Sequence, residues 1–290
     1  MSTAPALEKL LITGASGFLG GHLCREARKG WRVVGLGRRN TLPLSGVTAL
    51  QGDLTDYATI KHILARSKPA ALIHAAAEAQ SERCQDEPAR THAINVTAAA
   101  DLAGLCADAG CRLVLVSTDM VFDGRRPPYA ESDPPSPICR YGEQKAAAEH
   151  AVQTRHPRAV VGRLPLLIGS GREPDPTFLA QVIRRLAAAE PVTLFTDEWR
   201  TPVDARSAAR GLLQALGSPE RILHLGGRTR ISRFDLGLKV ARKLGTPTDL
   251  LIPARLAQFK GSAPRPPDVS LDSTNAYCQG YAPMDLDVAL

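Results

Sequence analysis

Thr13-Gly14-Ala15-Ser16-Gly17-Phe18-Leu19-Gly20 follows a short apolar run, Leu10-Leu11-Ile12, and opens a segment that reads as a helix through Arg28. A β-branched and leucine run ending in closely spaced glycines is a strand turning into a helix. Gly14 permits the tight turn, Gly17 lets backbone approach a pyrophosphate, and Gly20 lets the new helix lie close on its strand. The helix N-terminus then offers free N–H groups and the positive end of its dipole to an anion. The spacing is Gly-x-x-Gly-x-x-Gly, not the commonest dinucleotide fingerprint, and a glycine-rich turn alone can be only a turn. Its place after a first strand near the chain start is what points to nucleotide binding. Gly14, Ser16, Gly17, Phe18 and Leu19 are the expected cofactor contacts on this turn.

Outward from the turn, strands and helices alternate. Arg32–Gly37 reads as a second buried strand, where this kind of fold reads the adenine ribose. An NAD site would put Asp or Glu at its end; here the chain continues Gly37-Arg38-Arg39-Asn40. Two guanidinia and no carboxylate suit a 2′-phosphate, so NADP(H) is expected over NAD(H), against the plainer reading of a surface arginine pair. Val47–Gln51 is a third strand, followed by Asp53 and Leu54 on the adenine side, although Asp53 is equally suited to cap the next helix. Ala70–His74 is a fourth strand, and the small residues Ala75, Ala76 and Ala77 leave room for a cofactor across the sheet edge. His74 reads as a buried structural imidazole. A helix is expected from about Pro88 to Asp108, and Arg112–Ser117 is a fifth strand. This alternation predicts an α/β fold with a doubly wound parallel sheet.

The fifth strand runs into Thr118-Asp119-Met120 and then a proline-rich loop bordering the site. Next comes the strong helix former Arg140–Glu149, with Tyr141 and Lys145 at i and i+4 on one face. An ammonium beside a phenol lowers the phenol pKa, which would make Tyr141 a competent acid or base. Thr118 stands ready to bond the same substrate oxygen.

Bulk properties fit this reading. A chain of 290 residues, 44% hydrophobic and 22% charged, forms a large core and is ordinary for a globular protein. The net charge of +7 is spread over scattered residues, and aromatics are only 4%, so nucleic acid is not an expected partner. No apolar run reaches membrane-spanning length, the first strand leaves no room for a signal peptide, and a cytoplasmic protein is expected. The six cysteines form no Cys-x-x-Cys and no metal-ligand pattern, so they read as reduced and structural, with no metal.

The glycine turn, the strand-end hydroxyl and the Tyr/Lys pair together resemble the extended short-chain dehydrogenase/reductase family. The resemblance puts the family's catalytic Thr, Tyr and Lys on Thr118, Tyr141 and Lys145. Within the family the chain is most similar to the dTDP-4-dehydrorhamnose reductase branch. The matching stretches are Ser117–Gly124, the proline-rich loop with Tyr129 and Glu131, and Arg265–Asp272. That branch also includes the regulatory β subunit of methionine adenosyltransferase, which keeps the Tyr-x-x-x-Lys pair. The branch usually has an aromatic at Met120, so the departure touches the substrate side. The family's 4,6-dehydratases carry Glu at this position; Met120 moves no proton, which speaks against dehydration.

The resemblance implies an NADP(H)-dependent reductase of a carbonyl, on a nucleotide-linked 4-keto-6-deoxy sugar. A cofactor-holding regulatory subunit or a nucleotide-sugar epimerase are the alternatives, and a homodimer is left open. It implies that backbone at Leu164, on a sixth strand Val160–Leu164, packs on the nicotinamide, and that Lys145 also holds the nicotinamide ribose. Asp119, Met120, Trp199, Arg200 and Arg265 fall on the substrate side, with Trp199 for a base or sugar, or for packing between domains, and Arg200 and Arg265 for phosphate. The expected division is residues 1–168 for the cofactor domain, with a segment returning near 200–226, and mainly 169–290 for substrate.

Overall fold

The structure, a computed structural model, describes residues 7–38, 44–169 and 177–290. Its centre is a seven-stranded sheet in the order β11-β6-β5-β4-β1-β2-β3, every neighbouring pair parallel. The first six are β1 (Lys9–Thr13), β2 (Arg32–Gly37), β3 (Val47–Gln51), β4 (Ala71–His74), β5 (Arg112–Thr118) and β6 (Val160–Leu164). The seventh in the sheet, β11 (Ile222–His224), arrives much later in the chain.

A parallel sheet is covered on both faces, so its strands are near-continuous apolar runs. Alternation sorts their side chains. Leu10 and Ile12 enter a core with α1 (Phe18–Ala27) and α8 (Ala205–Ala215), while Leu11 enters the opposite core with α2 (Tyr57–Ser67), α5 (Ala98–Asp108) and α6 (Arg140–Arg155). α1 and α8 are also joined at their surface, where Glu26 takes Lys29 at 2.6 Å, Arg206 at 2.9 Å and Arg210 at 3.1 Å.

The helix expected over Pro88–Asp108 is present, but not as one regular rod. It runs from α4 (Pro88–His92) through a π-helical turn, Ala93–Thr97, into α5, after the short α3 (Ser81–Asp86). Asp56, not Asp53, caps α2, accepting from Thr59 N at 3.1 Å. Asp53 instead turns its own loop by accepting from Thr55 N at 2.9 Å.

The second lobe is built from short pairs and two helices. β7 (Leu167–Ile168) runs parallel to β10 (Val203–Asp204), and β8 (Val192–Phe195) parallel to β13 (Leu251–Ala254). β9 (Trp199–Arg200) is antiparallel to β12 (Ile231–Ser232). α7 (Phe178–Ala187) and α9 (Arg233–Leu244) close a separate core with Leu179, Val182, Leu194, Leu236 and Val240. Ser232 caps α9, its Oγ accepting from Asp235 N at 3.0 Å.

The strand order reverses between β1 and β4, which is where open α/β sheets form a crevice at the carboxyl ends of their strands. The glycine turn after β1 and Ala75–Ala77 after β4 meet there.

Candidate active site

Gly14 holds φ at +67°, and a Cβ on it would stand 2.8 Å from the backbone N and Cα of Ala76. Only glycine serves at this junction. Gly17 is the residue before α1; no side chain caps the helix, and no acidic residue stands in its first turn. That uncapped, positive terminus opens on a cleft of about 540 Å³. Of the expected cofactor contacts, Gly14, Ser16, Gly17, Arg38, Asp53, Leu54, Ala75, Ala76 and Ala77 line it. Leu19 and Leu164 pack instead into the apolar core below, and Phe18 sits edge-on to His22 with ring centroids 5.3 Å apart. Arg38 is exposed at the adenosine end; Arg39 lies outside the described residues.

The cleft has three charged walls that the sequence reading missed: Glu78, Arg83 and Arg90. Glu78 Oε2 lies 3.4 Å from Arg83 and 3.9 Å from Arg90. Asn95, 1% exposed, fixes this wall. Its Oδ1 accepts from Glu78 N at 2.8 Å, and its Nδ2 donates to Glu78 O at 3.0 Å and to Gln144 Oε1 at 2.8 Å. Asn95 is the centre of the π-helical turn, so the irregular helix and the cleft wall are one device. An uncapped helix end, small residues at the switch point and arginines at both ends fit a dinucleotide.

One strand away, β5 ends at Thr118 and α6 begins. Cys139 caps α6, and the first turn brings Tyr141 close enough to Thr118 for that hydroxyl to act on the phenol, while Thr118 Oγ1 itself donates to Asp119 Oδ1 at 3.1 Å. Burial is the largest cause of an upward shift in the Tyr141 phenol pKa; the charge of Asp119 adds to it, and the bond from Thr118 opposes it. This corrects the expectation that Lys145 would pull the phenol toward neutrality. Lys145 is 3% exposed and donates from Nζ to Val116 O at 2.6 Å. Burial lowers it to about 8, against the attraction of Glu149. His74 is structural: its Nδ1 meets Thr13 Oγ1 at 2.7 Å, and burial with the charge of Lys145 lowers it to about 3. The site therefore presents a protonated phenol, a hydroxyl beside it and a nearly balanced ammonium.

The expected substrate side divides. Arg200 is only 3% exposed and points into the protein. Its guanidinium meets Glu198 at 3.0 Å, Asp119 at 3.5 Å, the Trp199 carbonyl at 2.6 Å and Met120 Sδ at 3.7 Å. The expectation that Arg200 faces a phosphate is thus revised: its donors are spent on buried partners. Burial raises Asp119 to about 6, while Arg200 and a bond from Thr118 pull the other way. Glu198 also takes Arg233 at 3.2 Å and Arg265 at 3.5 Å. Burial alone would raise its pKa, but the three guanidinia hold it below the usual value. Arg265 is the outward member of this cluster, 34% exposed, with its guanidinium 4.6 Å from the Phe259 ring and 3.8 Å from Glu82 across the mouth. Trp199 carries Arg230 on one ring face at 4.1 Å and donates from its backbone N to Pro267 O at 2.7 Å. Five of the six cysteines are buried and all are free; Cys278 is exposed. No group of three or more metal-ligating side chains occurs among the described residues, and none of their helices is long and apolar enough to cross a membrane.

Comparison with known proteins adds relatives to this geometry. A family model described as RmlD substrate binding domain matches residues 8–285. A probable low-salt glycan biosynthesis reductase, Agl14, of Haloferax volcanii is 33% identical over 269 residues, covering 91% of this chain and 89% of the relative. The dTDP-4-dehydrorhamnose reductase of Mycobacterium tuberculosis is 32% identical over 285 residues, covering 96% and 89%. Methionine adenosyltransferase 2 subunit beta of Rattus norvegicus is 29% identical over 273 residues, covering 91% and 80%. Among solved structures, a hypothetical dTDP-4-dehydrorhamnose reductase from Sulfolobus tokodaii superposes with a TM-score of 0.84 at 30% identity, covering 96% and 98%.

Proposed function

The chain belongs to the RmlD substrate binding domain family, and we propose that within it the protein is an NADP(H)-dependent reductase of a nucleotide-linked 4-keto-6-deoxy sugar. The observation that carries the proposal is the set Thr118, Tyr141 and Lys145, gathered where β5 meets α6, one strand from a cleft suited to a dinucleotide. The reductases among the relatives support the sugar class.

NADPH, when bound, supplies hydride to the carbonyl carbon. The turn at Gly14 and Gly17, with the N-terminus of α1, would hold its pyrophosphate, and Arg38 would meet the 2′-phosphate, a role the sequence also offers to Arg39. Thr118 orients the substrate carbonyl by donating to its oxygen. Tyr141 gives its phenolic proton to that oxygen as negative charge develops there. A phenol raised by burial stays protonated through neutral pH, and it is still a stronger acid than the alcohol it creates. Lys145 holds the nicotinamide ribose and offsets the charge left on Tyr141. Arg265 takes the substrate diphosphate, and Asp119, Met120 and Trp199 border the sugar. The free thiols suit a reducing compartment, hence the cytoplasm; the homodimer is tested by sedimentation.

The test is NADPH oxidation against a panel of nucleotide 4-keto sugars, with Tyr141→Phe beside the native protein. Turnover should fall by on the order of 10²–10⁴-fold while NADPH binding survives. Near-normal turnover in the variant rules out Tyr141 as the acid. The likeness to methionine adenosyltransferase 2 subunit beta favours a second reading, a cofactor-holding regulatory subunit. NADPH binding with no turnover on the whole panel, and capture of an adenosyltransferase, would favour it.

A further inference from the structure

Behind Tyr141 and Lys145 runs a buried polar chain that the reduction chemistry does not use. Glu149 lies one turn beyond Lys145 on α6 and is 4% exposed; Arg163 on β6 is 1% exposed. Arg163 forks onto the carboxylate, Nη2 to Oε2 at 2.7 Å and Nε to Oε1 at 3.1 Å. Ser117 Oγ also donates to Glu149 Oε1. Ser117 lies between Val116, whose carbonyl accepts a hydrogen bond from Lys145 Nζ, and Thr118. On its far side Arg163 Nη1 lies 3.2 Å from His224 Nε2. A guanidinium only donates, so Nε2 accepts and the imidazole hydrogen sits on Nδ1. From there it is shared between the carbonyls of Tyr129 and Asp272, at 3.0 and 3.1 Å. Burial, with Arg163, lowers His224 to about 3, which keeps the ring neutral. The chain thus runs from the catalytic helix to the proline-rich loop and the C-terminal segment.

Stability is a weak reason for such a pair. Desolvating two charges offsets much of their attraction, and apolar replacements of similar volume are often as stable. Its placement is more informative. The titratable groups around Lys145 are Tyr141 and Glu149 on its own helix and His74 on β4, with Arg163 on β6 reached through Glu149. His74 is neutral and Tyr141 protonated; Lys145 Nζ bonds the Val116 carbonyl, and the Glu149 carboxylate, one helical turn along and bonded to Ser117 next to Val116, supplies the negative charge that opposes loss of the Lys145 proton.

Building on the reading of Lys145 as the cation that holds the nicotinamide ribose, we propose that Glu149 is a positioning residue for the reduction: clamped by Arg163, its carboxylate keeps Lys145 an ammonium and fixes Ser117, and through it Thr118, at the end of β5.

The experiment follows NADPH affinity by titration from pH 6 to 10, and the alkaline limb of kcat/KM with a nucleotide 4-keto sugar. Native protein should weaken with a midpoint near 8, where Lys145 loses its proton. Glu149→Gln should move that midpoint down by about one unit or more, the usual effect of removing a close opposite charge. Glu149→Asp keeps the charge and should bring the midpoint back toward native. Arg163→Met leaves the carboxylate without its counter-charge and should move the midpoint up. Opposite shifts are the signature, and either variant alone decides the matter if the other does not fold. A folded variant with lowered Tm and an unmoved midpoint would overturn the proposal and leave Glu149 a purely structural partner. Should the native protein bind NADPH but reduce no sugar, the reductase reading fails while the affinity midpoints still judge Glu149.

Discussion

Replacing Gly20 by alanine should break the cofactor cradle from below. A Cβ there would lie 2.7 Å from the carbonyl carbon of Gly14 and 2.8 Å from Ala15 Cα, and closer still to the Gly14 oxygen. All three obstacles are backbone of the glycine turn, so no rotamer change relieves them. Restoring ordinary contact requires α1 and the turn to part by roughly 1 Å, and overpacking that moves backbone costs ~1–3 kcal/mol, occasionally more. At ~3 kcal/mol, a chain of this size should lose roughly 6–12 °C in Tm. The displaced elements are the ones proposed to hold the pyrophosphate, so NADPH should weaken at least about tenfold, or ~1.4 kcal/mol. Gly17→Ala supplies the contrast. Its Cβ would meet only the Gly14 oxygen, at 3.2 Å, and its φ of −77° suits any residue. That variant should melt close to native yet bind NADPH poorly, because the methyl group would stand on the path proposed for the pyrophosphate. Scanning calorimetry and isothermal titration on both variants read the two effects separately. A Gly20→Ala protein with native Tm and native NADPH affinity would refute the reasoning.

Other perturbations separate the remaining roles. Arg38→Ala should weaken NADPH several-fold or more and NADH little, since a charged contact is worth ~1.5–3 kcal/mol before solvent screening; equal losses, by titration of both cofactors, would remove the 2′-phosphate reading. Asn95→Ala frees Glu78 from two hydrogen bonds; it should raise the NADPH KM with kcat less affected, and an unchanged KM would separate the π-helical turn from the cleft. Burial would raise the Glu26 pKa, but bonds from Lys29, Arg210 and Arg206 bring it to about 2 from 4.5. A carboxylate depressed on folding stabilises above its unfolded value and loses that contribution as pH falls toward the folded one. Glu26→Gln should therefore lower Tm at pH 7, less so in high salt, and match native near pH 2; a gap that persists there in thermal melts would contradict the assignment.

What the sequence made legible follows from local rules. The glycine turn, the continuous apolar strands and the Tyr141/Lys145 spacing are encoded over a few residues each, and they appear where periodicity and turn chemistry put them. The parts that were hidden depend on distant partners. Arg200 looks like any exposed arginine until β9 meets β12 and Glu198 turns inward with it. Glu78, Arg83 and Arg90 belong to a wall set by Asn95, and a helical pattern with no break gives no sign of a π turn. The direction of the Tyr141 shift was misjudged for a related reason: neighbours on one helix face are visible in the sequence, whereas burial and the charge of Asp119 belong to the assembled site.

The late arrival of β11 bears on how such proteins can be cut or recombined. The sheet is finished by residues 222–224, and the face carrying Leu10 and Ile12 is covered by α8 from residues 205–215. A gene fragment ending at Ile168 would leave β6 as a raw edge and bare an apolar face, a species bound for aggregation. The stretches between β7 and β10 and between β11 and the C-terminal segment leave this sheet and return to it, the first through α8 and the second through Ala276 and Tyr281 in the same core. On the proposed placement of the substrate, grafting a new preference onto this scaffold is a matter of replacing two loops of chain together, not of swapping a tail.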